Sequence, residues 1–412
     1  MGEYFKAGVS KVVISPPVGS MLAGYGNRME GSIGVHDDLY AKALVLDDAT
    51  EKVAVVSCDL GGVSKEIVSK VRQDVEADLG IKGNNVMVTA THTHSGPDFS
   101  LSNGEYLNVL TKKIAGSIRA AYYNLAEARM GAGKGEALIG YNRRNPKFNY
   151  FLRPYPEGAR DPEVGILRVD DKEGNMIATI INAPCHAVVL GSTNLLISAD
   201  YPGYATRVVE TMKGGVAIFL NGCCGNINPV NTWGPYTVIR DKIITGPVLF
   251  REAERLGNIL GGEALKVMEE IETTSEVKLK VKRSEVLLPT RKDMPEKWIK
   301  WIQSIKPDHP RYEFYQHILK GEGILTEVQA MALNNIAIAG LPGEVFVEFG
   351  LEIRKKSPFK YTIISELTNE SIGYVPTAKA FEEGGYDVVS SVMTPESGGK
   401  LAQASIDLLK DL

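Results

Sequence analysis

The segment 86–97, VMVTATHTHSGP, is an apolar, β-branched run that ends in two histidines and a Ser-Gly-Pro turn. Because side chains alternate across a strand, His92 and His94 are predicted to point to the same side. They follow the carboxyl end of the strand, where α/β proteins bind their ligands. Two imidazoles directed at one pocket suit a metal ion, although a pair of hydrogen-bonded structural histidines gives the same pattern.

Two other apolar runs end in residues that bind metals. His186 follows the hydrophobic run 177–184, and Glu344 closes the segment GLPGE at 340–344, where a strand is predicted to pass into a helix. A buried polar histidine, and a glutamate that interacts with a helix dipole, are the alternative interpretations. Together with His92, these residues would form a three-ligand zinc site with an open position for water, provided that they meet in space.

A glycine- and asparagine-rich turn follows another apolar run. The segment 220–231, LNGCCGNINPVN, contains Asn226 and Asn228. Glycine, asparagine and proline favour tight turns whatever the function, so composition alone assigns no role here. The earlier segment 22–27, LAGYGN, lacks the Gly-Lys-Ser/Thr end of a phosphate loop and the spacing of a dinucleotide site.

The elements that must position these residues alternate between strands and helices, which predicts an α/β protein with a mixed, largely buried β-sheet core flanked by helices. Strands are predicted at 9–14, 41–46, 53–57, 85–90, 164–169, 176–182, 216–220, 333–339 and 361–365, and helices at 65–79, 105–128, 201–212, 249–271 and 344–356. The run 277–288 is predicted to be a half-solvated strand, and 292–323 a helical excursion. We expect a single catalytic domain over 1–412, with a helical subdomain or lid at about 290–325.

Composition excludes several classes of protein. The 412 residues carry 46 Lys+Arg against 50 Asp+Glu, a net charge of -4, so the basic face of a nucleic-acid-binding protein is not expected. No run approaches the roughly 18 apolar residues of a membrane span, and no leader is recognisable at the N-terminus, so a cytoplasmic location is expected. The four cysteines form no CxxC pattern; Cys223 and Cys224 are adjacent, and reduced thiols are expected.

In chain order, the motifs resemble the catalytic domain of the neutral ceramidases and related hydrolases. The matching segments are MLAGYGN, GVHDDLYAKAL with His36, ATHTHSGP, YNRRNP with Arg143, the His186 segment that continues to NLLISADYPGYA, GNINP, LPGE and GYVPTAKAFEEGGY. They span nearly the whole chain, and THTHSGP is the most distinctive of them.

The resemblance implies a zinc site and a set of catalytic residues. Residues that would bind Zn²⁺ are His92, His186, Glu344 and Tyr374. Those that would line the reaction centre are His94, Arg143 and Tyr386, with His36 and Asn228 as substrate contacts. A tyrosine ligand is unusual for zinc in general.

Three departures from the family pattern affect the expected substrate. Asn228 stands where ceramidases have their active-site serine, and Asn226 stands where they have an aspartate, so a serine nucleophile is excluded. We also expect neither the C-terminal immunoglobulin-like domain of the ceramidases nor a secretion signal. We therefore expect zinc hydrolysis of an amide bond in a small polar molecule, in a closed polar pocket, and loss of the long-chain lipid substrate.

Other functions remain compatible with the sequence. The same chemistry could open a C–C bond in a diketone-type ring derived from a sugar or cyclitol. A two-metal amidohydrolase would need further histidines, and His309 and His317 lie instead in a charged region predicted to be helical. A catalytically inactive, ligand-binding relative is the third alternative, and the oligomeric state is left open.

Overall fold

Two β-sheets face each other at the centre of the molecule, and helices cover the outer side of each. The computed structural model describes residues 4–99, 104–307 and 311–412. The strands are β1 Lys6–Val13, β2 Gly34–Val35, β3 Tyr40–Asp47, β4 Lys52–Cys58, β5 Val86–Ala90, β6 Ala126–Glu136, β7 Gly140–Asn145, β8 Phe151–Tyr155, β9 Glu163–Asp171, β10 Met176–Ala183, β11 Leu196–Ile197, β12 Val216–Asn221, β13 Ile227–Pro229, β14 Thr232–Trp233, β15 Tyr236–Ile239, β16 Lys242–Ile244, β17 Leu279–Leu288, β18 Ile324–Leu333, β19 Ile336–Gly340, β20 Glu344–Val345, β21 Tyr361–Ser365 and β22 Tyr374–Val375.

The helices are α1 Lys65–Leu79, α2 Gly104–Tyr123, α3 Asp200–Lys213, α4 Pro247–Glu269, α5 Glu296–Gln303, α6 Tyr312–Lys320, α7 Val347–Lys356, α8 Ala378–Glu383, α9 Tyr386–Val389 and α10 Ser397–Lys410. The first sheet has eight strands in the order β12-β10-β9-β6-β1-β3-β4-β5, and the second has four in the order β17-β18-β19-β21. Both sheets mix parallel and antiparallel pairs. The predicted mixed α/β core is therefore confirmed, with two sheets at its centre.

Apolar side chains fill the space between the two sheets. Leu44 and Ile218 of the larger sheet belong to one buried cluster with Ile338 and Ile363 of the smaller sheet. Since these strands also bury their other face under helices, they consist of nearly continuous apolar residues rather than an alternating pattern.

The outer helices follow the amphipathic pattern of their sequences. In α1 the buried side chains Ile67, Val71 and Val75 recur every four residues and pack on the larger sheet. Ser64 caps this helix by accepting a hydrogen bond from the Ile67 amide. Helices α3 and α4 pack on the other half of that sheet, and α7 and α10 pack on the smaller one.

Three predicted elements differ from the structure. The run 333–339 is interrupted by a turn at Asn334, which adopts a left-handed φ of 57° and separates β18 from β19. The predicted helix 105–128 ends at Tyr123, and the chain then enters β6. The helix predicted from Glu344 begins only at Val347, because Glu344 pairs in the short strand β20. The alternative interpretation, in which Glu344 interacts with the dipole of a helix, is therefore wrong.

The helical excursion expected at 292–323 contains α5 and α6, which pack through Ile302 and Ile318 against the cluster of the smaller sheet. His309 lies outside the described residues, and a lid role for this segment stays a prediction. Of the helices in the described part of the chain, none combines the length and hydropathy of a membrane span.

Candidate metal centre

Three histidines from two distant segments of the chain meet at the carboxyl ends of β5 and β10. A ring nitrogen from each of His92, His94 and His186 lies within 4.8 Å of the other two. β5 ends at Ala90, so strand alternation does not align His92 with His94. Instead His92 takes a left-handed φ of 67°, a conformation that is uncommon for residues other than glycine.

His92 and His186 are held by backbone carbonyls in the same way. His92 Nδ1 lies 2.7 Å from the Gly61 carbonyl, and His186 Nδ1 lies 2.8 Å from the Cys224 carbonyl. A carbonyl can only accept, so each Nδ1 carries a proton and Nε2 is the nitrogen that each ring directs into the site. Metal-binding histidines are oriented in this manner. Burial and the neighbouring Arg143 lower the pKa of His186 to about 3, which keeps this imidazole neutral.

Glu344 completes this group of donors. Its Oε2 lies 3.4 Å from His92 Nε2 and 3.2 Å from His186 Nε2. Burial raises the pKa of Glu344, but the positive charge of protonated His92 and hydrogen bonds with His186 and His92 outweigh that effect and hold the pKa well below its usual value. The carboxylate is therefore ionised and adjacent to the Nε2 atoms of both imidazoles.

Tyr374 lies beside Glu344 because their two short strands are parallel and place these residues in register. Its ring stacks on His186 with a centroid distance of 6.5 Å. Two oriented imidazoles, a carboxylate and a phenol make a nitrogen- and oxygen-rich donor set, which fits a borderline cation such as Zn²⁺. The four residues proposed as ligands are therefore brought together.

His94 differs from the other two histidines. Its Nε2 lies 3.4 Å from His92 Nε2, so distance alone permits a site of three histidines. However, its buried Nδ1 has no hydrogen-bond partner among the described residues. Gly24 packs against this nitrogen so closely that a Cβ at position 24 would lie 2.1 Å from it. No carbonyl orients His94 as a ligand.

A second group of polar residues adjoins the histidines. Arg143 Nη1 lies 3.0 Å from Asn228 Oδ1 and 3.3 Å from His186 Nε2. The completely buried Asp387 accepts from Arg143 Nε and Nη2 at 3.1 and 2.5 Å. Tyr386, next to Asp387, packs edge-on against Tyr374 with a centroid distance of 5.9 Å. Arg143, Asn228 and Tyr386 thus lie together as expected.

His36 lies elsewhere. It contacts Asp37 at 2.7 Å and stacks on Phe250 with a centroid distance of 3.8 Å. Within the described chain, neither of these neighbours, nor Tyr204 beside the ring, lines the cavity next to the histidines. A substrate contact for His36 therefore has no support from its position.

Sequence reasoning missed several residues of the site. Asp387 was visible only as part of the polar turn GGYD, and Gly24 only as part of LAGYGN. Their roles depend on contacts with Arg143 and His94, which are far away in sequence, so no local pattern could reveal them.

A cavity of about 630 Å³ extends from the histidines towards α5 and α6. Its inner end is polar, with His92, His94 and Glu344. Its outer walls are largely apolar and aromatic, formed by Ile67, Leu107, Trp298, Trp301 and Phe314. The expectation of a closed, small, polar pocket is therefore wrong, because the helical segment brings aromatic side chains to the site.

The fold and the site define an α/β protein with a candidate metal centre at strand ends. Residues 5–239 match the family model described as neutral/alkaline non-lysosomal ceramidase, N-terminal. This match covers more than half of the chain, and the chain belongs to that family. The resemblance found in the motifs is confirmed.

Individual relatives agree with this assignment. The chain is 29% identical over 249 residues to the neutral ceramidase of Pseudomonas aeruginosa, a match that covers 55% of the chain and 37% of that relative. It is 31% identical over 243 residues to neutral ceramidase B of Dictyostelium discoideum, covering 52% and 34%. The matches thus span little more than a third of these relatives. The solved Pseudomonas aeruginosa structure covers 98% of this chain and 74% of its own, at 21% identity and a TM-score of 0.80, and shows the same fold.

Proposed function

We propose that this protein is a zinc-dependent hydrolase that cleaves an amide C–N bond. The observation that carries the proposal is the convergence of two carbonyl-oriented histidines, His92 and His186, on Glu344. With Tyr374 they would hold Zn²⁺. The relatives are named neutral ceramidases, which supports amide hydrolysis as the reaction class.

Zn²⁺ in such a site supplies Lewis-acid polarisation of a carbonyl and acidifies water. His94 is free of the carbonyl contacts that fix the other histidines. Burial, with His92 and His186, lowers the pKa of His94 well below its usual value, so the imidazole is neutral. It would take the proton from the attacking water and deliver it to the leaving nitrogen.

The polar group around Arg143 would bind the substrate carbonyl. Asp387 neutralises the guanidinium and fixes its plane, while Nη1 remains directed at Asn228 and His186. Donors fixed in place before the reaction stabilise the negative charge that develops on a carbonyl oxygen. Tyr386 adds a hydroxyl at the cavity wall. Asn228 has no nucleophilic atom, so attack by water is the consistent route.

The shape of the cavity supports a substrate with a polar reacting end and an apolar chain. An amide at the histidines would leave its chain against Leu107, Trp298 and Phe314. Burying apolar surface contributes about 25 cal/mol per Å², so these walls favour an acyl chain over a fully hydroxylated molecule.

Hydrolysis of a C–C bond in a diketone-type ring is a second candidate. Asn228 favours it, because its Oδ1 accepts from Arg143 while its amide nitrogen donates to no acceptor in the described part of the chain. That nitrogen is a donor for a hydroxyl or carbonyl of a compact polar substrate.

The test uses zinc-loaded protein and a series of N-acyl amides whose chains lengthen from two to about sixteen carbons. We expect release of the free amine, with kcat/KM rising with chain length, and no release by a His92→Ala variant. Ring opening of a cyclic diketone without amide hydrolysis would select the second candidate. No turnover of either substrate class by protein that carries zinc would contradict both and favour a ligand-binding relative.

A further inference from the structure

Glu366 provides a buried carboxyl group next to the candidate metal centre. Glu366 follows β21 and has no measurable exposure. Burial raises the pKa of its carboxyl group to about 8, and a buried polar group of this kind is costly unless hydrogen bonds satisfy it. Its Oε2 accepts from the backbone amides of Cys224 and Val345, each at 2.9 Å, and its Oε1 accepts from the Cys224 thiol at 2.8 Å.

The two segments that Glu366 joins each hold one member of the proposed zinc site. The carbonyl of Cys224 accepts from His186 Nδ1 and orients that imidazole. Val345 is bonded directly to Glu344. The carboxyl group of Glu366 therefore connects the loop that orients His186 to the short strand that carries Glu344.

Glu366 itself is fixed to the ends of two further strands. Its amide donates to the Asn221 carbonyl at 2.9 Å, and its carbonyl accepts from the Thr89 hydroxyl at 3.0 Å. Asn221 ends β12, and Thr89 lies in β5, the strand that precedes His92. These contacts fix the backbone of Glu366, so its side chain can hold the Cys224 loop and the Val345 strand in place.

We propose that Glu366 is a positioning residue that sets the separation of His186 and Glu344 and thereby the affinity of the site for zinc. The inference rests on the proposed function, since it requires that these residues bind the metal. Hydrogen-bond partners of metal ligands commonly affect affinity by about 10- to 100-fold when removed.

The experiment compares Zn²⁺ dissociation constants of the full chain, measured by competition with a chromophoric chelator. Glu366→Ala is expected to weaken binding by about 10- to 100-fold. For Glu366→Gln we expect a Zn²⁺ dissociation constant within roughly threefold of the wild-type value. The carboxamide oxygen can still accept from the amides of Cys224 and Val345, and the NH₂ group can face the Cys224 sulfur. Near-UV circular dichroism and thermal unfolding report whether each variant is folded.

Asp200→Ala is the matched control. Asp200 is also completely buried and also accepts from two backbone amides, those of Tyr201 and Leu190. We expect this variant to lose stability while its zinc affinity is unchanged. An equal loss of affinity in the control would overturn the inference, because the effect would then follow from general destabilisation.

Two further outcomes are decisive. A folded Glu366→Ala variant with the affinity of the wild type would refute the positioning role while leaving the proposed zinc site intact. Failure of the wild type to bind Zn²⁺ would refute the proposed function and this inference together. If Glu366→Ala does not fold, Glu366→Asp takes its place: it keeps the carboxyl group but withdraws the oxygens by one methylene, and unchanged zinc affinity in it would overturn the inference.

Discussion

His186 Nε2 lies 3.2 Å from Glu344 Oε2, although the two residues are 158 positions apart in the chain. The contact joins the end of β10 in the larger sheet to β20, which leads out of the smaller sheet. The candidate metal centre therefore lies where the ends of the two sheets meet. A metal bound there would link both halves of the core, and its binding free energy would add to the stability of the fold.

Single substitutions of the proposed ligands should abolish zinc binding. In His92→Ala, His186→Ala and Glu344→Ala we expect a folded protein with less than about one tenth of the wild-type zinc content, because each removes one of a small set of ligands. The measurement is metal content after dialysis against a weak chelator. His317→Ala is the control, since His317 contacts Glu322 at an exposed site. Full zinc occupancy in a ligand variant would remove that residue from the site.

Substitution of His94 should lower turnover without removing the bound metal. We expect His94→Ala to retain zinc and to lose about 10²- to 10⁴-fold in kcat, the usual contribution of a general acid–base group. The measurement pairs zinc content with turnover of the best acyl amide. Loss of zinc in this variant would instead show that all three histidines bind the ion, as their mutual distances permit.

The sequence predicted the fold class and the residues that meet at the candidate site better than it predicted the surroundings of that site. His92, His94 and His186 follow apolar runs, and the THTHSGP motif is local, so a pattern within a few residues was enough. Turns between strands were harder to predict from the sequence. Asn334 breaks an otherwise continuous apolar run, and only the antiparallel pairing of β18 with β19 reveals the break.

The character of the cavity could not be predicted for a similar reason. The segments expected around the site, 22–28, 141–147 and 226–233, are rich in Asn, Arg, Gly and Tyr, which suggested a polar pocket. The apolar walls come from Leu107 in α2, from Trp298 and Trp301 in α5 and from Phe314 in α6, which are distant in sequence. A surface assembled from separate elements has no signature in any one of them.

The cysteines should be dispensable for the chemistry. All four are free and buried in the structure, and burial raises the pKa of the Cys223 and Cys224 thiols well above the usual value, so neither is a thiolate nucleophile. We expect Cys223→Ser and Cys224→Ser to retain activity while folded, at a stability cost of about 1–3 kcal/mol for a buried hydroxyl. Chemical denaturation and turnover test this. A folded serine variant without any activity would point to a cysteine nucleophile.

Asp200 should contribute stability that is lost as pH rises. Burial raises the pKa of this carboxyl from 3.8 to about 7. Between those values the folded protein retains a proton that the unfolded chain releases, so unfolding becomes easier as pH rises, by on the order of 4 kcal/mol at most. Urea unfolding of Asp200→Asn across this range should show a smaller slope. An equal slope in the variant and the wild type would assign the dependence to other groups.

Two glycines with similar backbone conformations provide a test of the position of His94. Gly24 and Gly19 have φ values of 89° and 97°, so alanine is strained at either position. They differ in their surroundings: a Cβ at position 24 would lie 2.1 Å from His94 Nδ1, whereas nothing lies within 4 Å of one at position 19. We expect Gly24→Ala to displace the imidazole and lower kcat at least about tenfold, with zinc retained.

The matched variant, Gly19→Ala, should lose about 1 kcal/mol of stability from backbone strain and keep its activity. Turnover and zinc content are measured for both variants at a temperature where each is fully folded. Since strain at a left-handed position is common to both, only the contact with His94 distinguishes them. Equal activity in the two variants would mean that the ring of His94 need not occupy this position for catalysis.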